Sequence, residues 1–315
     1  MSLTPLKIYQ DLKENKLDRK SAAEILLMLI ENSEDDDVRI ESIKLLEKIG
    51  FKNDKLFKVL EGLLISDLNE RVRYIAAVYI TDYFIDRALS PMKWALEYES
   101  NYDCLILIIK TLAKIGSNEA KETLLDDLKR IKKRKYIDKD RQYHNKFKKS
   151  LKKLLKSKKI KNLHCEDLAD IIINYKTIET LIKTFYTIYY KVENGLVTEL
   201  DLSDLGWNVN VWRQKYAEKV EEISEIVGLM NLKNLKSLDL SNNRISFIKD
   251  LLNLKKLTHL YISNNKLNLD NIEFFEKMDN LKFLDIHGNE IATSIKFLEL
   301  RKKLDVKLKS NLLFE

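Results

Sequence analysis

The sequence is poor in the residues that build tight turns, disulfide frameworks and phosphate-binding loops. Its 315 residues include only 7 Gly, 2 Pro and 2 Cys. Gly-rich loops hold nucleotide phosphates, so their absence argues against a nucleotide site of that kind. Two cysteines make neither a disulfide framework nor, by themselves, a zinc site. Because free thiols are typical of a reducing compartment, we expect a cytoplasmic protein.

Long apolar runs and catalytic motifs are also missing. The longest apolar runs, residues 25–30 and 104–109, are far too short to cross a bilayer, and the first five residues lack the apolar core of a signal peptide. There are 4 His, with no His-x-x-x-His, Cys-x-x-Cys, Gly-x-Ser-x-Gly or Gly-Lys-Thr motif. His164 and Cys165 are neighbours, and neighbouring side chains on a helix diverge. We expect no enzyme activity, no cofactor and no metal site.

Positive charge is concentrated in one segment. The formal net charge is +7, but residues 129–161 hold 17 Lys and Arg against 2 Asp, a local net charge of +15. Residues 1–128 and 162–315 are each mildly acidic. A local block of this kind bears on binding partners more directly than the overall charge does.

The N-terminal third contains an internal repeat. Helical apolar patterns over residues 37–50, 70–81 and 102–116 recur, and each follows another amphipathic stretch, over residues 21–32, 54–65 and 91–97. Helix pairs this short cannot bury their apolar faces alone, so neighbouring pairs must stack. Ile-Gly ends the first and third patterns, which predicts a Gly cap at Gly50 and Gly116.

Asp-Val-Arg at 37–39 and Arg-Val-Arg at 71–73 lie near the start of the second helix of a pair. In this respect the region, from about residue 18 to 158 with a degenerate fourth pair, resembles HEAT-like repeats. The third copy lacks the Arg. The resemblance implies an α-solenoid and says little about function. It also admits one enzyme hypothesis, HEAT-like alkylpurine DNA glycosylases, although Trp94 is the only Trp here and the array is acidic.

The C-terminal third follows the pattern Leu-x-x-Leu-x-Leu-x-x-Asn-x-Leu. Its Asn positions, 243, 265, 289 and 311, are 22, 24 and 22 residues apart. An earlier strand over residues 197–202 fits the same pattern, and the extra residues around Trp207 and Trp212 are interpreted as an insertion or a helical cap. The region, roughly residues 196–313, resembles leucine-rich repeats of the 22-residue subclass, found in phosphatase regulatory subunits and other adaptors.

In leucine-rich repeats the strands line a concave face, and alternate strand residues point to opposite faces. The leucines are therefore expected inside, and Glu199, Ser203, Ser237, Ser241 and Ser263 outside. The predicted partner-binding residues on this outer side are Asp201, Asp239, His259, Tyr261, Phe283, Asp285 and His287. Exposed aromatic side chains among carboxylates suit a protein-binding surface. The alternative is that Ser and Asp here are ordinary residues of the repeat.

Residues 140–161 are predicted to form a helix with a narrow apolar stripe at Phe147, Leu151, Leu154 and Leu155. Its basic patch comprises Lys148, Lys149, Lys152, Lys153 and Lys156. Three interpretations remain open: a solvated terminal helix, a contact with nucleic-acid phosphates, or attraction to an anionic membrane. Residues 162–191 continue the helical apolar spacing through Ile188 and Tyr189, and Asn194-Gly195 supplies a turn before the first strand.

We therefore expect a mixed repeat protein in which a HEAT-like α-solenoid precedes an α/β leucine-rich-repeat solenoid with a parallel sheet. The predicted segments are a solenoid over 1–128, a basic helical segment over 129–161, a helical connector or cap over 162–195 and the leucine-rich repeats over 196–315. The expected function is a non-enzymatic adaptor that binds proteins, without a small-molecule substrate. The alternative is association with nucleic acid or an anionic membrane through residues 129–161.

Overall fold

The computed structural model describes residues 4–134, 141–185, 188–205, 219–295, 297 and 307–309. Contacts divide the chain into two compact units: Met1–Asp127 with Leu163–Ala169, and Leu128–Asn162 with Asp170–Glu315. None of the helices within the described ranges combines the length and the apolarity needed to span a membrane. Trp207, Trp212 and the predicted insertion lie outside the described residues, as do Asn311 and the end of the last repeat.

Helices dominate the first unit and the residues that follow it. The α-helices with described bounds are α1 (Pro5–Lys13), α2 (Arg19–Asn32), α3 (Asp36–Ile49), α4 (Asp54–Ser66), α5 (Glu70–Tyr83), α6 (Leu89–Tyr98), α7 (Tyr102–Ile115), α8 (Asn118–Lys133), α9 (Arg141–Lys156), α10 (Cys165–Thr184) and α11 (Ile272–Glu276). The pairs α2–α3, α4–α5 and α6–α7 match the three predicted repeats, and α3, α5 and α7 pack in succession. The prediction of stacked helix pairs is confirmed.

The ends of these helices follow from side chains that the sequence places there. Asp35, within the acidic run 34–37, accepts hydrogen bonds from the backbone N–H groups of Asp37 and Val38 and so caps α3. Gly50 and Gly116 end α3 and α7 with φ of 66° and 64°, the left-handed conformation that Gly adopts without steric cost. Within the acidic run, Asp35 therefore serves as the helix cap.

Arginines near the start of α3 and α5 tie each helix pair to the next. Arg39 forms ion pairs with Asp36 and with Asp67, which lies just before α5. Arg73 makes a two-pronged contact with Glu99, just before α7, with N–O distances of 2.8 and 2.9 Å. Burial alone would raise the pKa of Glu99, but hydrogen bonds from Arg73 and the backbone outweigh it and lower the pKa to about 2.

This series of ion pairs ends where the sequence loses its arginine. The N-cap residues Asn69 and Asn101 occupy equivalent positions at the starts of α5 and α7. The residue four positions after Asn101 is Leu105, which is buried, whereas Arg73 holds that place in α5. The third pair is thus held at this position by apolar packing, which explains why its sequence departs from the Val-Arg pattern.

The second unit is built on a six-stranded sheet with the order β1-β2-β3-β4-β5-β6. Its strands are β1 (Tyr189–Glu193), β2 (Leu196–Asp201), β3 (Ser237–Asp239), β4 (His259–Tyr261), β5 (Phe283–Asp285) and β6 (Lys307–Lys309). Strands β2 to β6 run parallel, and neighbouring strands belong to consecutive repeats. The inward-facing leucines of β2 to β5, namely Leu200, Leu238, Leu260 and Leu284, are buried, as the repeat pattern predicted.

The prediction that residues 162–191 continue as a helix is wrong at their C-terminal end. Helix α10 ends at Thr184, and Tyr189 begins β1, which pairs antiparallel with β2. Asn194 and Gly195 have φ of 52° and 83°, so they form the two-residue turn of a hairpin whose first strand the apolar spacing concealed. A Cβ on Gly195 would lie 2.7 Å from Ile171, so close packing also requires Gly there.

In three consecutive repeats a buried asparagine, Asn243, Asn265 or Asn289, satisfies backbone groups of two repeats at once. Asn265 donates from Nδ2 to the carbonyl of Leu240 in the preceding repeat, at 2.9 Å, and accepts from the N–H of Ile245, also at 2.9 Å. Asn243 and Asn289 make the same contacts one repeat earlier and later. Buried backbone groups left without a partner are costly, so these side chains hold the strands in register.

We predict that Asn265→Ala lowers the free energy of unfolding by about 2–4 kcal/mol, because buried donors and acceptors in two repeats lose their partner. Urea unfolding followed by circular dichroism measures this loss. Asn253→Ala is the matched control, since exposed Asn253 makes one side-chain hydrogen bond, to the carbonyl of Asp250. Equal stability of the two variants would contradict the role given to Asn265.

Candidate binding site on the leucine-rich-repeat sheet

The register of the sheet lines up the predicted outward residues in columns. Asp201, Asp239, Tyr261 and Asp285 are consecutive partners across β2 to β5. Strand β1 extends this column, because Tyr189 pairs with Asp201. Tyr189 is 57% exposed, and sequence reasoning missed it by assigning it to a helix. The turn residues Asn194-Gly195, placed between two apolar segments, were the signal that could have revealed β1.

A second column, Glu199, Ser237, His259 and Phe283, contributes two further aromatic rings. His259 and Phe283 are partners on β4 and β5, and their rings stack with centroids 6.0 Å apart. Tyr261 lies against Phe283 with ring centroids 4.9 Å apart. All three side chains are partly exposed. The structure therefore brings three predicted residues into one aromatic cluster on the same side of the sheet as Asp201 and Asp239.

The carboxylate of Asp239 is held in an unfavourable electrostatic setting. Partial burial raises its pKa above the usual value, and the negative charges of Asp201 and Asp285 on either side raise it further. Hydrogen bonds from Ser241 act in the opposite direction, with the backbone N–H of Ser241 2.8 Å from Oδ1. A cation placed over this column would remove the repulsion.

Asp285 and two serines are less accessible than the repeat pattern predicted. Asp285 is only 4% exposed, because the His287 ring lies against its carboxylate, with Nδ1 2.5 Å from Oδ1. The predictions that Ser241 and Ser263 point outward are wrong, since both are buried. Each follows the end of its strand, where its carbonyl accepts a hydrogen bond from the preceding repeat and the chain begins to turn inward. Because His287 contacts its carboxylate, the predicted binding residue Asp285 is little accessible to a partner.

A groove of about 390 Å³ runs across the N-terminal end of this face. We call it the concave groove. Asp201, Asp239 and Tyr261 line it from the parallel strands, Tyr189 and Lys191 from β1, and Lys146 from α9. The groove combines aromatic rings with the carboxylates of Asp201 and Asp239. This combination is suited to binding an apolar side chain beside a cation.

The basic helix α9 packs within the second unit. Its predicted apolar stripe is present: Phe147, Leu151 and Leu154 are buried, and Phe147 meets Tyr175 edge-on. The hydroxyl of Ser150 accepts a hydrogen bond of 3.0 Å from the backbone N–H of Gly195 in the β1–β2 turn. The resemblance to HEAT-like repeats included this helix as part of a degenerate fourth pair, whereas its contacts join it to the hairpin of the second unit.

The lysines of α9 are not equivalent. Lys149, Lys152, Lys153 and Lys156 are exposed, whereas Lys148 is partly buried and donates to the carbonyl of Arg134. Burial and, next, the charge of Arg134 lower the pKa of Lys148. Of the predicted basic patch, Lys148 therefore belongs to the packing of the helix more than to its solvated surface.

The two cysteines are buried free thiols, and burial is the main cause that raises the pKa of each. Thiolates are the reactive form of cysteine, so both are poor nucleophiles in this environment. Within the described residues, no three His, Cys, Asp or Glu side chains are arranged to hold a metal ion.

Comparison with known proteins identifies part of the second unit. A family model of leucine-rich repeats, in two copies, matches residues 233–273. These residues include β3, β4 and the buried asparagines Asn243 and Asn265. No curated protein and no solved structure matches the chain. The matched repeats suggest a role in protein–protein interaction.

We predict that Asp239→Asn raises the melting temperature at neutral pH, because it removes a half-buried charge while its amide oxygen keeps the bond to Ser241. The folded-state pKa of Asp239 is raised, so the folded wild-type protein regains this stability as pH falls through that pKa. The gain from Asn should therefore shrink at acidic pH. Differential scanning calorimetry of both proteins at several pH values tests the higher melting temperature and its dependence on pH.

The control for this measurement is Asp250→Asn, which removes the same charge from an exposed residue in a 3-10 turn outside the sheet. It should leave the melting temperature close to that of the wild type. A melting temperature of Asp239→Asn that equals or falls below that of Asp250→Asn would contradict the repulsion inferred for the carboxylate column.

Proposed function

We propose that this protein is a non-enzymatic adaptor of the cytoplasm that binds a protein partner on the concave groove and its aromatic cluster. The observation that carries the proposal is the accessible set of Tyr189, Tyr261 and Phe283 beside Asp201 and Asp239. Of these residues, Asp239 and Tyr261 lie in the repeats that the family model matches. Aromatic anchors with neighbouring polar groups dominate the energetics of protein interfaces.

The destabilised carboxylate of Asp239 supports the same proposal. A charge that weakens the folded state is expected where function requires it, because stability and activity compete at binding sites. A Lys or Arg side chain of the partner would face Asp201 and Asp239 and relieve their repulsion, while its apolar neighbours would contact Tyr261 and Phe283. Binding would thus be strongest when these carboxylates are ionised.

The helical stack of the first unit is proposed as a second partner surface, which would make the protein a two-array scaffold. Trp94 and Tyr98, one turn apart on α6, are 41% and 65% exposed, and their ring centroids are 4.4 Å apart. Exposed aromatic pairs of this kind are common at interfaces and otherwise leave apolar area in water. The absence of catalytic motifs from the sequence and the buried, weakly acidic thiols support a role in binding over catalysis.

Affinity capture of the tagged full chain from its native lysate, quantified by mass spectrometry after nuclease treatment, tests the proposal. We predict a protein that the wild type retains and that Tyr261→Ala combined with Asp239→Lys loses, since truncation of an interface anchor costs about 2 kcal/mol or more. Phe247→Ala is the control, because Phe247 is also aromatic, and is more exposed than Tyr261, but packs on Phe274 outside the strands.

The comparison of variants decides between outcomes. If the partner is lost with Tyr261→Ala/Asp239→Lys and retained with Phe247→Ala, the concave groove is supported as the binding site. Equal capture by all three proteins contradicts it, and loss of nearly all partners after nuclease would indicate that nucleic acid mediates the association.

A further inference from the structure

A second groove, of about 640 Å³, lies between α9 and β1, and we call it the lysine groove. Lys146, Lys149 and Lys153 line it from α9, and Lys191 lines it from β1. The three helix positions are three and four residues apart, so they share one face of α9. All four lysines are exposed. Lys152 and Lys156, which the sequence grouped with them, are not among the residues that line this groove.

The lysines of this groove retain capacity to bind an anion. Lys191 is 2.7 Å from Glu199 on β2, an exposed ion pair. In the ranges that the structure describes, no carboxylate forms an ion pair with Lys146, Lys149 or Lys153. Ser150 and Asn194 add polar groups to the lining. Glu193 adds one carboxylate, which forms an exposed ion pair of 3.9 Å with Lys236, outside the lining. Ammonium groups that converge on one cavity favour a ligand with several acceptor oxygens, such as a carboxylate cluster or a phosphate ester.

The two grooves adjoin each other. Lys146, Tyr190 and Lys191 line both of them. On one side of this shared border lie Asp201 and Asp239, and on the other lie Lys149 and Lys153 of α9. A ligand that crosses the border therefore passes from a negative to a positive surface over a short distance, which selects for a ligand that carries both signs of charge.

We propose that the partner binds through a peptide segment with charges of both signs, a Lys or Arg side chain over Asp201 and Asp239 and acidic or phosphorylated residues in the lysine groove. This inference rests on the proposed function of the concave groove and specifies its partner. The charge pattern of the surface complements a peptide in which the cationic and anionic residues are close in sequence, and like charges at either end would be repelled.

A nucleic acid fits this surface less well. Its backbone carries negative charge at every nucleotide, so a strand that followed the lysine groove would meet Glu199, Asp201 and Asp239 at the border. Proteins that bind single strands also offer aromatic rings on which bases stack. Among the described residues that line the lysine groove, the one aromatic side chain is that of Tyr190, which is buried.

Selection from a random dodecapeptide library displayed on phage, with the immobilised full chain as bait, tests the inference. Selected peptides are expected to contain Lys or Arg together with acidic residues. On Lys149→Gln/Lys153→Gln the acidic enrichment should vanish while the basic and apolar enrichment stays. A synthetic selected peptide should bind this variant about tenfold more weakly, as expected for the loss of two exposed ion pairs.

The matched control is Lys152→Gln/Lys156→Gln, which removes the same charge from exposed positions of the same helix outside the groove. It should change the affinity less than twofold. Equal weakening by both variants would overturn the inference, because only the net charge of α9 would then matter. Thermal unfolding of all proteins verifies that the substitutions leave the fold intact.

The remaining outcomes separate this inference from the proposed function. Selected peptides that lack acidic residues but lose binding on Tyr261→Ala overturn the lysine groove and leave the concave groove supported. Failure to select any peptide that depends on Tyr261 overturns both. Tighter binding of a twelve-residue oligothymidylate than of the selected peptide, lost on Lys149→Gln/Lys153→Gln, overturns the inference in favour of nucleic acid.

Discussion

The asparagine that bridges consecutive repeats is the interaction on which the second unit depends. A short parallel strand such as β3 or β4 has three residues, too few to fix its own position by backbone pairing alone. The amide of Asn265 joins backbone groups on both sides of the turn that follows the strand. Register is therefore set by side chains at the repeat period, and any slip would leave buried groups without partners.

Function follows from that register. Because consecutive strands are aligned residue by residue, side chains that are 22 to 38 positions apart in the sequence become neighbours in one column. Asp201 and Asp239 face each other in this way, and so do His259 and Phe283. No local pattern in the chain puts these groups together. The surface is a property of the repeat geometry, and its binding chemistry lies in the few positions that the repeat leaves variable.

The repeat pattern predicted the stacked helix pairs, the parallel strands, the buried asparagines and the columns of outward residues, because each depends on periodicity that is visible in the sequence. Strand β1 was missed because its apolar residues continue the helical spacing of α10. The dipeptide Asn194-Gly195 was interpreted as a turn before the first strand, whereas it connects two strands. The burial of Asp285 depends on its bond to His287, two residues away, and strand alternation carries no information about such a bond.

The lysine groove shows the limit of charge patterning. The sequence identified a block of positive charge, but it could not divide the lysines of α9 between the groove and the opposite side. That division depends on Phe147 and Ser150, which fix the rotation of the helix against Tyr175 and the β1–β2 turn. The same tertiary contacts bring the basic block beside the acidic column, so that two features 50 to 90 residues apart act as one surface.

Hydrogen–deuterium exchange of the full chain, alone and with its captured partner, tests most directly whether the sheet is the binding surface. Amide protection on binding reports where the partner lies, because bound segments open less often. The account predicts increased protection in β1, β3 and β4 and in the turns that follow them. Protection confined to helices α1 to α7, with unchanged exchange across the sheet, would contradict it.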